Sequence, residues 1–341
     1  AAWRDSPLKE FYLSVKPASL SIPGDCMYKE KIVAVVIPAY NEETQIQQVL
    51  ASLPSYIDHI VVIDDKSADG TVGKVREAQR ADPRIILLLH EENQGCGGAK
   101  CTGYKWARDN NVDVAIAVDG DGQMDPEDME RLCAPVAADE TDYAKGNRLF
   151  HADACSVIPK FRFVGNFISS FLTKIASGYW SITDCQTGYT AISKRALHAV
   201  DWDCMFKRYG YPNDILVRLN VADMRVRAVP IRPVYGVGEK SSMKVMRVMF
   251  SLSLLLLRLY VWRLWKKYFI KDPHPLVLFA YFSLAQLALG GLLLVRFFWL
   301  WAQTGHAPEL TLVLMLFCFS MGFQGMFFSI WFDMERNKHL Q

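Results

Sequence analysis

The sequence predicts an α/β fold, a mostly parallel doubly wound sheet followed by interfacial amphipathic helices and two transmembrane helices. Three observations predict it. Short apolar runs ending at polar or acidic residues alternate with helical stretches as far as Asp119, and such alternation needs crossovers that keep strands parallel. The apolar residues, 51% of the 341, pile up after residue 245. Two of the stretches there are long enough to cross a hydrocarbon core of ~30 Å. The expected division is an arm over 1–30, the α/β domain over 31–240, juxtamembrane helices over 241–272 and a two-helix membrane unit over 273–335, with spans at 276–301 and 310–332.

Lys31 to Ile37 is a strand by composition, ended by Pro38, and Tyr40-Asn41-Glu42-Glu43 leads into a helix through Leu53. His59 to Ile63 ends the same way at Asp64-Asp65, before Asp69-Gly70-Thr71 and a second helix. Ile85 to Leu89 is a third strand, then come the glycines at 95, 97 and 98 and a helix to Asn110. Those glycines are not a dinucleotide fingerprint, because Lys100 stands where GxGxxG needs glycine. They allow close backbone approach to a ligand, with Lys100 the candidate phosphate partner.

Val114 to Val118 is the central strand, and it breaks off at Asp119 and Asp121, two carboxylates flanking Gly120. Residues two apart in an extended segment project to one side, so the pair suits Mg²⁺ or Mn²⁺ completed by water and phosphate oxygens. A calcium loop fails because Met124 stands where glycine is needed and no helix precedes. Asp125-Pro126-Glu127-Asp128 reads as a helix start, with Asp125 the cap. In doubly wound sheets ligands bind beyond the carboxyl ends of the strands, where Pro38 to Glu42, Asp64/Asp65 and Asp119/Asp121 all fall. Acids gathered in one crevice repel one another unless a cation compensates them.

A net charge of +2 gives no case for nucleic acid as a partner, and the 8 cysteines show no metal spacing, so they read as reduced thiols facing the cytosol. Residues 1 to 30 are polar and broken by Pro7, Pro17 and Pro23, unlike a signal peptide.

Val36-Ile-Pro-Ala-Tyr-Asn-Glu42, Val62-Ile-Asp-Asp-Lys-Ser-Ala-Asp-Gly-Thr71, Asn93-Gln-Gly-Cys-Gly-Gly-Ala99 and Asp119-Gly-Asp-Gly-Gln123 resemble, in order, the signatures of family 2 glycosyltransferases of the GT-A fold. The resemblance implies that Pro38, Tyr40, Glu42 and Asp65 hold the nucleotide base and ribose of a sugar nucleotide. It implies further that Asp119 and Asp121 hold the metal on the diphosphate. Asn41, Gly97 and Gly120, in the same motifs, are assigned to the donor as well. Gln123 follows the pattern of the polyprenyl-phosphate subgroup, such as dolichyl-phosphate mannose synthases, where it joins the metal shell. Lys145-Gly-Asn-Arg148 resembles that subgroup's strand with a terminal arginine, a guanidinium suited to capturing the acceptor phosphate. Asp184-Cys-Gln-Thr-Gly-Tyr189 matches its acceptor-side motif, with Gln186 within reach of the chemistry, and differs from the QxxRW of polymerising synthases. Arg162 and Lys174 dot an apolar segment, Phe161 to Ser177, expected at the membrane face. Gly238-Glu-Lys-Ser-Ser-Met-Lys244 resembles the basic loop that touches the donor diphosphate in relatives, with Lys240 and Lys244 the candidates there. Asp214 is either a base or a helix cap, and the sequence favours the cap.

Val245 to Ile270 reads as a helix lying on the bilayer with Arg247, Arg258, Arg263, Lys266 and Lys267 snorkelling to water. The linker from Ala302 to Glu309 has no Lys or Arg while both outer flanks do. Both ends of the hairpin and the catalytic domain are therefore expected on the cytoplasmic side. Gly290-Gly291 and Gly322 to Gly325 offer close packing, in the expectation between protomers, and the subgroup's two-span members imply a homo-oligomer, a tetramer for example. The function expected is transfer of a sugar, from a UDP-sugar by preference, to a membrane polyprenyl phosphate with inversion. The competing readings are transfer to a lipid or glycan hydroxyl with Asp214 as base, and a silent nucleotide-binding membrane scaffold.

Overall fold

The computed structural model describes residues 28, 30–148, 160–232 and 245–341, the side chains of 160–167 and 245–250 excepted. The strands are β1 (Val33–Ala39), β2 (His59–Asp64), β3 (Ile85–Leu89), β4 (Val114–Ala117), β5 (Tyr143–Asn147), β6 (Thr190–Ser193) and β7 (Val226–Pro230). They form one sheet in the order β3-β2-β1-β4-β6-β5-β7. The β3-β2-β1-β4 half is parallel, as the alternation predicts, and β5 pairs β7 in parallel at the other edge. Strand β6 runs antiparallel to both neighbours. Its reversal puts the start of β6, and the Asp184 to Tyr189 loop that feeds it, beside the carboxyl ends of β4 and β5.

Helices cover both faces. Val33, Val35 and Ile37 pack with Ile46, Val49 and Leu50 of α1 (Ile46–Ser52), while Ala34 and Val36 face Ala99 and Tyr104 of α3 (Cys96–Asp109). The continuous apolar runs of β1, β2 and β4 follow from this, since both sides of these strands are dry. Helix α2 (Thr71–Ala81) follows β2, α4 (Met129–Ala137) follows a short 3-10 turn over Pro126–Asp128, and α5 (Lys160–Ser177), α6 (Lys194–Ala199) and α7 (Tyr211–Val221) complete the domain. Asp125 caps the 3-10 turn, accepting from the Glu127 N–H at 2.9 Å.

Pro38 does not end β1 but lies within it, paired with Ile63. The β4 ladder stops where the Val118 N–H reaches the Val36 carbonyl at 3.0 Å. Pro38 points to that same side, one step beyond, so its missing N–H leaves no bond unmade.

Beyond the sheet, α8 (Val245–Trp265) continues into a π-helical turn, Lys266–Lys271, and then into a hairpin of α9 (Leu276–Thr304) and α10 (Glu309–Asn337). Both hairpin helices are long and apolar enough to cross a membrane. Their outward residues, Leu278, Leu292, Val295, Leu310 and Phe327, are exposed. The glycines expected between protomers are mostly used inside the hairpin. A Cβ on Gly290 would sit 3.1 Å from Phe319, on Gly322 2.9 Å from Leu287 and on Gly325 2.5 Å from Ser283, whereas Gly291 faces open space. A second expectation changes in α8 and the π-helical turn after it, where Arg263 and Lys267 do not snorkel. They are 0% and 5% exposed and turned towards the α/β domain.

Candidate active site

The crevice forms where the parallel strands end. The β1 and β2 loops are stitched together: Asn41, at φ 57°, accepts from the Ala68 N–H at 2.9 Å, and its own N–H reaches the Ser67 hydroxyl at 3.0 Å. The Glu42 N–H donates to Thr71 Oγ1 at 2.9 Å. Asn41, assigned to the donor on sequence, is thus a loop staple, while Tyr40 stands half exposed at the mouth.

Asp65 is likewise an anchor. It is buried and accepts from the N–H groups of Gln94 (2.8 Å) and Gly95 (2.7 Å), with His90 Nδ1 at 2.8 Å, so it ties the glycine-rich loop to β2. Its neighbour Asp64 accepts from the Ser67 N–H through Oδ2, and its buried Oδ1 has no partner among the described residues. Gly97 permits a close approach, but to the protein itself, as a Cβ there would sit 2.7 Å from Tyr211.

The turn after β4 supplies the floor. Gly122 takes φ 72°, a region that favours glycine, and Gly120 packs near Glu42 and the Pro38 carbonyl. Glu42 is pushed up to about 7, first by burial and then by the charges of Asp121, Asp69 and Asp119. This excess of negative charge is what a divalent cation would relieve. Among the described residues no set of three or more His, Cys, Asp or Glu side chains forms a closed cage. What the floor offers instead is the carboxylates of Asp119 and Asp121, both close enough to act on Glu42, a pair of hard oxygens that Mg²⁺ accepts when water and phosphate complete the shell. The residues therefore fit the ion.

Lys100, the candidate phosphate partner, is engaged within the protein. It is 2% exposed, with Nζ 2.8 Å from Asp119 Oδ1 and donating to the Gly188 carbonyl at 3.2 Å. Burial would lower its pKa, but Asp119 wins and raises it. A Cβ on Gly188 would sit 2.5 Å from Lys100 Nζ and 2.6 Å from Asp119 Oδ2. The motif assigned to the acceptor thus lies directly against the donor-side acid.

Two more cations hold that loop. Lys145, 1% exposed and pulled down to about 8 by burial, donates to the Thr187 carbonyl at 2.7 Å. Arg148 grips Asp184 through Nε at 2.8 Å and Nη2 at 3.2 Å. Burial works against the Asp184 carboxylate, yet Arg148 and then Lys145 hold it below the usual range. Gln186 Nε2 donates to Ser169 Oγ of α5 at 2.8 Å. Lys174 is five residues further along α5, about 7 Å of helix rise away. The side chain of Arg162 and all of Lys240 and Lys244 lie outside the described residues.

Asp214, 1% exposed in the first turn of α7, accepts from the Phe206 N–H at 2.7 Å and from Arg218 Nε at 2.9 Å. It ties a loop to its helix and does not cap it, since the N-cap is Gly210 with no side-chain bond. Sequence reasoning missed Lys145 and Gly188 as site residues. The one local signal was a lysine inside a strand that is otherwise buried.

Stability should respond to Glu42. A carboxyl raised from 4.5 to about 7 binds more protons folded than unfolded, so metal-free stability falls as pH rises from 4.5 to 7. The expected loss is about 1 kcal/mol after solvent screening. Melting with and without Mg²⁺ should show metal stabilisation growing across that window; a stabilisation independent of pH contradicts the placement.

Carboxylates and a glycine turn at the carboxyl ends of a parallel sheet, with a reversed strand bringing a second loop to them, define a glycosyltransferase of the GT-A type. The chain belongs to glycosyl transferase family 2, whose model matches residues 34–201. It is 32% identical over 219 residues to a UDP-N-acetylglucosamine–dolichyl-phosphate N-acetylglucosaminyltransferase of Methanococcus voltae, covering 60% of this chain and 87% of that protein. An undecaprenyl-phosphate mannosyltransferase of Micrococcus luteus is 30% identical over 202 residues, covering 58% and 82%. In fold, the chain is similar to glucosyl-3-phosphoglycerate synthase of Mycobacterium tuberculosis, solved with Mn²⁺, UDP and glucosyl-3-phosphoglycerate. The TM-score is 0.51 at 15% identity, over 69% of this chain and 80% of that one.

Proposed function

We propose that the protein moves a sugar from a nucleotide sugar, a UDP-sugar by preference, onto a polyprenyl phosphate held in the bilayer. The relatives' names supply the substrate classes. The observation that carries the reading is the contact of Gly188 with the Lys100–Asp119 pair, which brings an acceptor-side loop against the donor-side acid. An acceptor phosphate oxygen attacks the anomeric carbon from the face opposite the leaving group. The carbon–oxygen bond to the diphosphate breaks, the nucleoside diphosphate departs and the configuration inverts. Asp119, Asp121 and Gln123 would hold Mg²⁺ or Mn²⁺, which neutralises the charge growing on the leaving diphosphate. Pro38 and Tyr40 are the candidates for the nucleotide, and Arg148 and Gln186 face the acceptor.

The acceptor phosphate, with a second pKa of about 6, is mostly dianionic at neutral pH and needs no base. That agrees with the full engagement of Asp214 and argues against a hydroxyl acceptor. The two apolar helices cross the membrane in this reading, with the α/β domain and both hairpin ends on the cytoplasmic side. Purified protein with Mg²⁺, a panel of UDP- and GDP-sugars, and either a polyprenyl phosphate or the matching polyprenol tests it. Product should form only with the phosphate, and Asp214→Asn should retain most of the rate while melting lower. Transfer to the alcohol, or a rate that collapses with Asp214→Asn, overturns the proposal.

A further inference from the structure

The buried cations of α8 meet a cluster that the transfer chemistry does not use. Arg263 forks onto Asp333 of α10, Nη1 to Oδ1 at 2.8 Å and Nη2 to Oδ2 at 2.9 Å. The same guanidinium donates to the Ile175 carbonyl of α5 at 3.0 Å and to Asn220 Oδ1 of α7 at 3.3 Å. Tyr268 donates its hydroxyl proton to Asp333 Oδ1 at 2.6 Å, and Asn337 Nδ2 donates to the same oxygen at 2.9 Å. Lys267 Nζ reaches the Asn220 carbonyl (2.7 Å), Asn337 Oδ1 (2.9 Å) and Asp223 Oδ1 (2.8 Å). Arg263, Asn220 and Asn337 are fully buried, and Asp333 and Lys267 nearly so. The backbone is cut to fit, since Gly178 takes φ 78° and a Cβ there would sit 2.3 Å from Arg263 Nη1.

Three parts of the chain therefore meet at one point: α5 and α7 of the catalytic domain, α8 with its π-helical turn, and the last turns of α10. Leu340 packs into the main core of the domain, and Gln341 accepts from the Ser181 N–H at 2.7 Å. An apolar contact of the same area would let two bodies slide. A forked, desolvated ion pair held by four of the neighbouring groups allows one geometry even with Arg263 Nε unpaired among the described residues, because any other leaves a charge buried without its partner. Helix α5 carries the constraint onward, because Ser169, which holds Gln186, lies six residues before Ile175, about 9 Å along the helix.

We propose that the Arg263–Asp333 cluster is a positioning device that docks the catalytic domain on the membrane hairpin at one height and orientation, so that the acceptor-side loop meets a headgroup fixed in the bilayer. This rests on the polyprenyl-phosphate reading above. The cluster touches no reacting atom; it acts through α5 and the hairpin.

The test uses the full-length protein in lipid nanodiscs, as wild type, Asp333→Asn and the milder Asn337→Ala. Each receives a long-chain polyprenyl phosphate in the bilayer or a short water-soluble isoprenyl phosphate. Loss of docking should lower kcat for the bilayer acceptor about tenfold or more, as small misplacements of reactants do. The rate with the soluble acceptor and the donor Kd should stay near wild type. A parallel fall with both acceptors, or no fall with either, in a variant that still binds donor overturns the proposal. Asn337→Ala decides should Asp333→Asn not fold. Distances between a spin label on the domain and one on the hairpin give a readout free of substrate, narrow in wild type and broadened in the variants. If wild type transfers to neither acceptor, the substrate reading fails and these distances alone judge the docking; unbroadened distances overturn it.

Discussion

Asp121→Ala is expected to lower kcat by about a thousandfold, the scale of losing one preorganised group that stabilises charge at a leaving group. Stability should not follow. Asp121 Oδ1 accepts the Gln123 N–H at 3.1 Å, worth about 1 kcal/mol, but the same carboxylate is among the charges that push up Glu42. The two effects oppose, so the metal-free melting temperature should match wild type within a few degrees, while stabilisation by Mn²⁺ largely disappears. Rates and melting curves on the same preparation check both parts. An active Asp121→Ala, or one that keeps the full Mn²⁺ response, removes the carboxylate pair from the centre of the mechanism.

Lys100→Met should be costly in a different way. The side chain is of similar length, but Asp119 loses its ammonium partner at 2.8 Å and the Gly188 carbonyl loses its donor. Breaking such a pair from its buried side costs about 2–4 kcal/mol, the lower part of the range because Asp119 is partly exposed. Melting in EDTA should fall by about 5–10 °C. Activity should drop about a hundredfold, because the loop carrying Gln186 is no longer held against the donor side. Added Mg²⁺ should recover part of the melting loss, since an ion on Asp119 replaces the missing charge. An equal deficit with and without metal contradicts the assignment of Asp119 to the ion.

The parts of the site legible in the sequence were those whose chemistry is local. Asp119-Gly120-Asp121 announces itself because the apolar strand, its sudden end and the paired acids occupy eight consecutive residues from 114 to 121. The Pro126 turn is legible for the same reason. The bonds of Lys100 were not legible because its partners lie 19 and 88 residues away, and nothing local distinguishes a lysine facing a ligand from one neutralising an acid. Asp65 and Asn41 stood in the right motifs, yet their side chains serve the loops that shape the crevice. The reversal of β6 had no local signature either, although it carries the Asp184 to Tyr189 loop to Asp119 and its neighbours.

The membrane segment divides the same way. Length and apolar content alone identify the two helices of the hairpin, because the hydrocarbon thickness is a property of the solvent. What covers each face is a property of the partner. Arg263 and Lys267 look like snorkelling cations until α5, α7 and α10 close over them, and Gly322 looks like a protomer contact until Leu287 fills it. By itself the sequence determined the sheet's alternation, the acidic crevice, the family motifs and the two apolar helices, since all of these arise from neighbours along the chain. Only the tertiary structure decided that Lys100 and Lys145 brace the Asp184 to Tyr189 loop and that Arg263 ties the domain to Asp333 of the hairpin, because burial and charge pairing depend on distances between residues that the chain order does not encode.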